Sequence, residues 1–234
     1  ETESAYRWAR EIGADYLECD MQVSKDGVVL ALHDDNLKRT TNIETVFGET
    51  LPREIRKNYY MKIGYSETEA EEKVKADEAN FVPNLPAYYT YEELLMLDAG
   101  SWFNNENLEE ALPGLAKEKQ YISTLEDLIM YSKGYRLIRD RNQPGMPRQY
   151  SIVGKTGETI TSLSGTADIV KYDFGYEIDP VWEAGNKNIP GIYIEFKEPW
   201  LNPKGFEQVV YDVLANTQDM NCLLYTSPSP RDTR

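Results

Sequence analysis

Apolar positions recur along this chain at two different periods, and the switches between them mark its elements. From Thr2, residues Ala5, Trp8, Ala9 and Ile12 follow at helical spacing, and Gly13 stands where a helix usually stops. A helix with its apolar side turned to a core is predicted there. A strand-length segment, Asp15 to Val23, comes next, then the tight turn Lys25-Asp26-Gly27 and a second strand, Val28 to Leu32. Far along the chain, Gly191 to Lys197 alternates strictly. Ile192, Ile194 and Phe196 take one face, and Tyr193, Glu195 and Lys197 the other. Asn202-Pro203 reads as a cap and first turn, and Phe206, Val209, Val210, Val213 and Leu214 trace an amphipathic helix behind it. Strand followed by helix in this way suggests a β/α repeat.

Three capping-box patterns subdivide the middle of the chain: Ser66 with Glu69, Thr90 with Glu93, and Ser123 with Glu126. The first opens a highly charged exposed helix over 66–79. The second opens a short helix carrying Leu94, Leu95 and Leu97. The third opens a helix whose inward residues are Leu125, Leu128 and Ile129. Residues 43–89 read as a surface insertion. Residues 135–190, rich in Gly, Pro, Tyr and polar side chains with short apolar runs, read as a second excursion or small subdomain.

A length of 234 residues fits one domain, and 41% hydrophobic with 28% charged residues is ordinary globular composition, so neither disorder nor a fibrous repeat is indicated. The formal charge of −15 repels polyanions and argues against a nucleic-acid partner. It also means that a phosphate-bearing substrate would need a local cation. Cys19 and Cys222 are the only cysteines, too few for a disulfide framework and without the spacing of structural zinc. No run of about 18 apolar residues is present to span a bilayer, and no signal-peptide pattern opens the chain.

On a strand, residues two apart share a face, so Glu18 and Asp20 project together. Such a pair is either a solvated strand edge or an oxygen site for a hard divalent cation, Ca²⁺ or Mg²⁺. His33, the single histidine, follows the second strand at the point where the backbone leaves the core, a position open to either a structural or an acid/base role. Glu195 and Lys197 repeat the same-face arrangement on a distant strand. They could complete an oxygen cage and neutralise a phosphate oxygen, or simply form an ion pair.

Six segments in order carry a family resemblance: Gly13 to Asp20, Ser24 to Gly27, His33-Asp-x-x-Leu-x-Arg-Thr-Thr-Asn42, Leu97-Asp-Ala-Gly-Ser-Trp-Phe103, Ile122-Ser-Thr-Leu-Glu-Asp127 and Ile194-Glu-Phe-Lys197. The chain resembles the glycerophosphodiester phosphodiesterase family over residues 1–42, 90–131 and 190–215. That resemblance implies a (β/α)₈ TIM barrel with its site at the C-terminal ends of the strands. Position by position it implies Glu18, Asp20 and Glu195 as metal ligands and His33 as one of two catalytic histidines, with leaving-group acid the preferred role. It also implies Lys197 on the phosphate and Trp102 and Phe103 near the substrate's alcohol portion, although core packing accounts for these aromatics equally well.

Further expectations follow. The family's His-Arg-Gly strand is expected upstream of Glu1-Thr2, and the closing barrel strands are expected downstream. The barrel in this chain is therefore expected to be incomplete within 1–222 and inactive as it stands. Residues 223–234 resemble translated adapter sequence rather than protein. The implied substrate is a small glycerophosphodiester, and a periplasmic or secreted location is favoured over a cytoplasmic one. The resemblance leaves the oligomeric state open. Competing readings are a noncatalytic barrel that binds metal or phosphodiester, and a lipid phosphodiesterase akin to the phospholipase D toxins.

Overall fold

The computed structural model describes residues 1–100, 109, 118–162, 165–196 and 202–216, with 153–162 and 165–170 described by backbone alone. Helix α1 (Glu3–Glu11) leads into β1 (Tyr16–Val23) and β2 (Val29–Ala31). The first charged stretch holds α2 (Ile43–Val46), α3 (Arg53–Lys62) and α4 (Glu67–Ala79), followed by α5 (Tyr91–Leu94) and α6 (Leu125–Ser132). Then come β3 (Tyr135–Leu137), β4 (Tyr150–Ser162), β5 (Gly165–Phe174), β6 (Tyr176–Ile178), α7 (Pro180–Ala184), β7 (Gly191–Phe196) and α8 (Phe206–Asn216).

The central sheet has the order β2-β1-β7, with β2 antiparallel to β1 and β7 parallel to it. Parallel neighbours need a crossover that covers a sheet face. Helix α6 packs against β1, β2 and β7 as such a cover, and its Leu125, Leu128 and Ile129 are fully buried as the spacing predicted. Leu17, Cys19, Met21, Ile192 and Ile194 meet it from the sheet. This parallel pair with its helix is a unit of a (β/α)₈ barrel that stays incomplete among the described residues.

Three sequence-based expectations need correction. In α1 the Ala5, Trp8 and Ile12 side lies outward, with Ile12 64% exposed, while Glu3, Tyr6 and Arg10 are buried. The reason is electrostatic. Arg10 donates to Asp179 Oδ2 at 2.6 Å and to the Tyr131 carbonyl at 2.7 Å, and Glu3 pairs with Arg139 at 2.5 Å. The second excursion therefore docks on the polar side of α1. In the third capping box the cap is Thr124 paired with Asp127, one residue later than Ser123, because the Ser123 carbonyl is occupied by the Ala31 amide at 2.8 Å. Asn202 is no helix cap: α8 begins at Phe206, and Asn202 Oδ1 instead accepts the Val23 amide at 3.1 Å, holding the end of β1.

Residues 43–89, read as a surface insertion, carry α2, α3 and α4. Helices α3 and α4 pack together over Tyr59, Tyr60, Ala70 and Val74. Fully buried Arg56 spans to both Glu93 oxygens at 2.8 and 2.6 Å and to Asp77 at 2.5 Å, which locks the helix pair to α5. The capping boxes at Ser66 and Thr90 form as expected.

The 135–190 excursion is a small antiparallel assembly, β3 with β6 and β4 with β5. A buried network ties it down. Arg148 grips both oxygens of Asp127 at 2.8 and 2.9 Å and donates to Tyr91 Oη at 2.8 Å. Tyr176 and Tyr172 donate to Asp127 and Asp26 at 2.7 and 2.6 Å. Among the described residues no helix is long and apolar enough to cross a membrane.

Glu126, beside this network, is pushed up to about 7 by burial, with the Asp127 charge adding to the effect. Its folded value lies above the ordinary 4.5, so its protonated form contributes stability that is fully present below pH 4.5 and lost as pH rises through about 7. Glu126→Gln should flatten that dependence. Urea midpoints of both proteins from pH 4 to 8 check it: a wild-type-minus-variant difference that stays constant across the range contradicts the assignment.

Candidate active site

The register β1 to β7 places Glu18 beside Tyr193 and Asp20 beside Glu195. Residues paired in parallel strands share a face, so Glu18, Asp20 and Glu195 lie on the face opposite Cys19 and Ile194. Glu18 is exposed, Glu195 half-buried and Asp20 buried. Depth therefore increases from Glu18 to Asp20 along β1.

Glu1 joins them from the start of α1: the Asp20 amide donates to Glu1 Oε1 at 2.8 Å. Among the described residues, Glu1, Glu18 and Asp20 form a carboxylate group whose ligand atoms all lie within 4.8 Å of one another, and Glu195 stands outside that group. Burial pushes the Glu1 carboxyl up to about 7. The hydrogen bond from the Asp20 amide opposes the shift, while the Asp20 and Glu18 charges add to it. Tyr6, beneath this cluster, is pushed well above 10 by burial first and by the Glu1 charge next.

His33 directly follows β2: the Leu32 amide donates to the Asp20 carbonyl at 2.9 Å, so His33 comes one residue after a backbone pair with β1. Buried Gln22 steadies that turn, donating through Nε2 to the carbonyls of Leu32 at 3.0 Å and Asp34 at 2.6 Å. His33 is exposed, and its Nδ1 lies 2.7 Å from Asp34 Oδ1. Arg39 in turn holds Asp34 with two bonds, Nε to Oδ2 at 2.5 Å and Nη2 to Oδ1 at 2.6 Å. Lys197, Trp102 and Phe103 lie outside the described residues.

The fold thus brings Glu18 and Asp20 together, sets Glu195 beside Asp20 by register and places His33 one residue past the Leu32–Asp20 backbone pair. The sequence reading missed Glu1, Gln22, Asp34 and Arg39. Asp34 and Arg39 were inside the quoted His-Asp-x-x-Leu-x-Arg motif, and only the side-chain geometry separates them from their neighbours. Glu1 had no local signal, since its approach to Asp20 depends on how α1 packs.

Carboxylate oxygens are the donors preferred by hard divalent cations. Glu1 Oε2 is buried with no hydrogen-bond partner among the described residues, beside two further acids. This donor set fits a hard divalent cation.

The model of the Glycerophosphoryl diester phosphodiesterase family matches residues 1–153. The chain is similar to the glycerophosphodiester phosphodiesterase of Bacillus subtilis (strain 168), 27% identical over 125 residues, which cover 53% of this chain and 29% of that one. It is also similar to the glycerophosphodiester phosphodiesterase of Caldanaerobacter subterraneus subsp. tengcongensis, 41% identical over 56 residues covering 24% of this chain and 23% of that one. A third relative is the mouse (Mus musculus) glycerophosphoinositol inositolphosphodiesterase GDPD2, 28% identical, with 68% of this chain and 25% of that one covered. Among solved structures, the crystal structure of glycerophosphodiester phosphodiesterase from Agrobacterium tumefaciens str. C58 is 16% identical with a TM-score of 0.41, covering 97% of this chain and 52% of that one. The matched regions span less than a third of the length of those three curated relatives. With its family model matched across residues 1–153, the chain belongs to the glycerophosphoryl diester phosphodiesterase family.

Proposed function

We propose that this protein hydrolyses glycerophosphodiesters to glycerol 3-phosphate and an alcohol, by general acid/base catalysis at a divalent-cation site. The observation that carries the reading is the convergence of the Glu18 and Asp20 carboxylates with Glu1, next to Glu195 in register, with His33 one residue past the backbone pair of Leu32 and Asp20. Glu18 and Asp20, with Glu195 as the third family-implied ligand and Glu1 beside them, would hold the ion. When bound, Ca²⁺ or Mg²⁺ supplies positive charge against the phosphate oxygens, which also answers the repulsion a −15 chain presents to an anionic substrate.

The protein's own groups do the rest. Lys197 pairs with a nonbridging phosphate oxygen, and Trp102 and Phe103 flank the alcohol portion. His33 gives its proton to the departing alkoxide as the P–O bond breaks. This scheme also calls for a second acid/base group to take the proton of the attacking hydroxyl, a role for which the family resemblance implies a histidine.

Glycerol 3-phosphate release from glycerophosphocholine by the intact gene product, measured with and without a chelator, tests the reading. Release that stops with chelator and returns with Ca²⁺ or Mg²⁺ is expected. Turnover indifferent to chelation would overturn the metal-dependent scheme.

A further inference from the structure

We propose that Asp34, clamped by Arg39, is a positioning residue for His33: its carboxylate fixes the proton on Nδ1 and so dedicates Nε2 to proton exchange with the substrate. This inference rests on the reading of His33 as an acid/base group and names the atom that performs it.

Arg39 holds the Asp34 carboxylate. Its Nε and Nη2 bond to different oxygens of Asp34 at 2.5 and 2.6 Å, the bidentate geometry in which a planar guanidinium best holds a carboxylate. The Arg39 hydrogen bonds are the main reason the Asp34 carboxyl sits below the usual carboxylate range, with His33 contributing after burial is counted against them. An ionised carboxylate has no proton to donate and can only accept. The 2.7 Å contact between His33 Nδ1 and Asp34 Oδ1 must therefore be a bond in which Nδ1 carries the hydrogen. A neutral imidazole with its proton on Nδ1 has its lone pair on Nε2.

The backbone supports the same arrangement. Gln22 donates to the carbonyls on either side of His33, those of Leu32 and Asp34, which restricts how the turn can rotate. Arg39 and His33 are both exposed, so solvent alone would let the ring turn and the proton redistribute; the Asp34 carboxylate, whose side chain is 16% exposed, removes that freedom. In the leaving-group step the Nε2 proton passes to the departing oxygen as the P–O bond breaks. The neutral ring that remains keeps its other proton on Nδ1 against Asp34, and no further reactant is needed.

His33 is the only histidine in the chain, so one imidazole spin system reports the tautomer directly. Long-range ¹H–¹⁵N correlation spectra of the ¹⁵N-labelled chain, taken at alkaline pH, are expected to give a protonated-type shift at Nδ1 and an unprotonated-type shift at Nε2. In Asp34→Ala the two shifts should move toward the reverse pattern, since an unrestrained histidine favours the proton on Nε2. A wild-type ring protonated on Nε2, or a tautomer unchanged by Asp34→Ala, overturns the proposal. The wild-type spectrum decides it even if the variant fails to fold. The readout needs neither metal nor turnover, so its failure is distinct from a failure of the phosphodiesterase reading, which the chelator assay detects.

Discussion

Arg148→Met is expected to destabilise the fold by about 3–5 kcal/mol, the cost of stranding a buried charge whose partner has been removed. Arg148 and Asp127 are nearly sealed from solvent, with side chains 1% and 0% exposed, and meet through two bonds of 2.8 and 2.9 Å. Asp127 also accepts the Thr124 amide at 2.9 Å and the Tyr176 hydroxyl at 2.7 Å. Without Arg148 the carboxylate keeps these neutral donors and loses the one cation that pairs with it among the described residues. Met fills the volume of the guanidinium stem, so the loss reports charge more than cavity. Chemical denaturation measures it, and limited proteolysis locates it: cleavage should appear first within 135–190, the segment that Arg148 anchors. A midpoint shift equivalent to less than about 1 kcal/mol, the range of an exposed pair, would show that the network contributes little. Replacing both partners, with Asp127→Leu added to Arg148→Met, should recover part of the loss, because the stranded carboxylate is then gone.

Removing ligand charge should do the opposite, leaving the fold and taking the chemistry. The double variant Glu18→Gln, Asp20→Asn keeps the size of both side chains and deletes two of the three clustered carboxylates. Turnover in the intact gene product is expected to fall by at least 10²- to 10³-fold, the loss typical when one preorganised electrostatic partner of a transition state is removed. Thermal midpoint should not drop as it does for Arg148→Met. Glu1 is pushed up to about 7 partly by the Asp20 and Glu18 charges, so deleting them relieves repulsion in the metal-free protein. Activity retained within a few-fold would remove these carboxylates from the site.

How much of this was legible beforehand depends on whether the cause of each feature is local. Strict alternation in β7 and the same-face pair in β1 report directly on strand geometry, and Glu18, Asp20 and Glu195 came out on one face for that reason. The boxes at Ser66 and Thr90 are equally local. The box at Ser123 slipped by one residue because a distant amide, that of Ala31, claimed its carbonyl. Helix α1 was misread because periodicity counts apolar residues, whereas Glu3 and Arg10 are buried by ion pairs with Arg139 and Asp179, more than 130 residues away. Asn202 looked like a cap but serves the end of β1. The Arg148 network had no sequence signature at all, since its members lie on four separate segments. Within the site, His33 could be singled out from its position after β2, while the roles of Asp34 and Arg39 needed distances.

The central claim is that Glu18 and Asp20 hold a divalent cation, and calorimetric titration of Ca²⁺ and Mg²⁺ into chelator-stripped protein tests it most directly. The wild-type chain is expected to bind one ion that Glu18→Gln, Asp20→Asn no longer binds, above the diffuse background of an acidic protein. Identical isotherms for the two proteins would contradict the account.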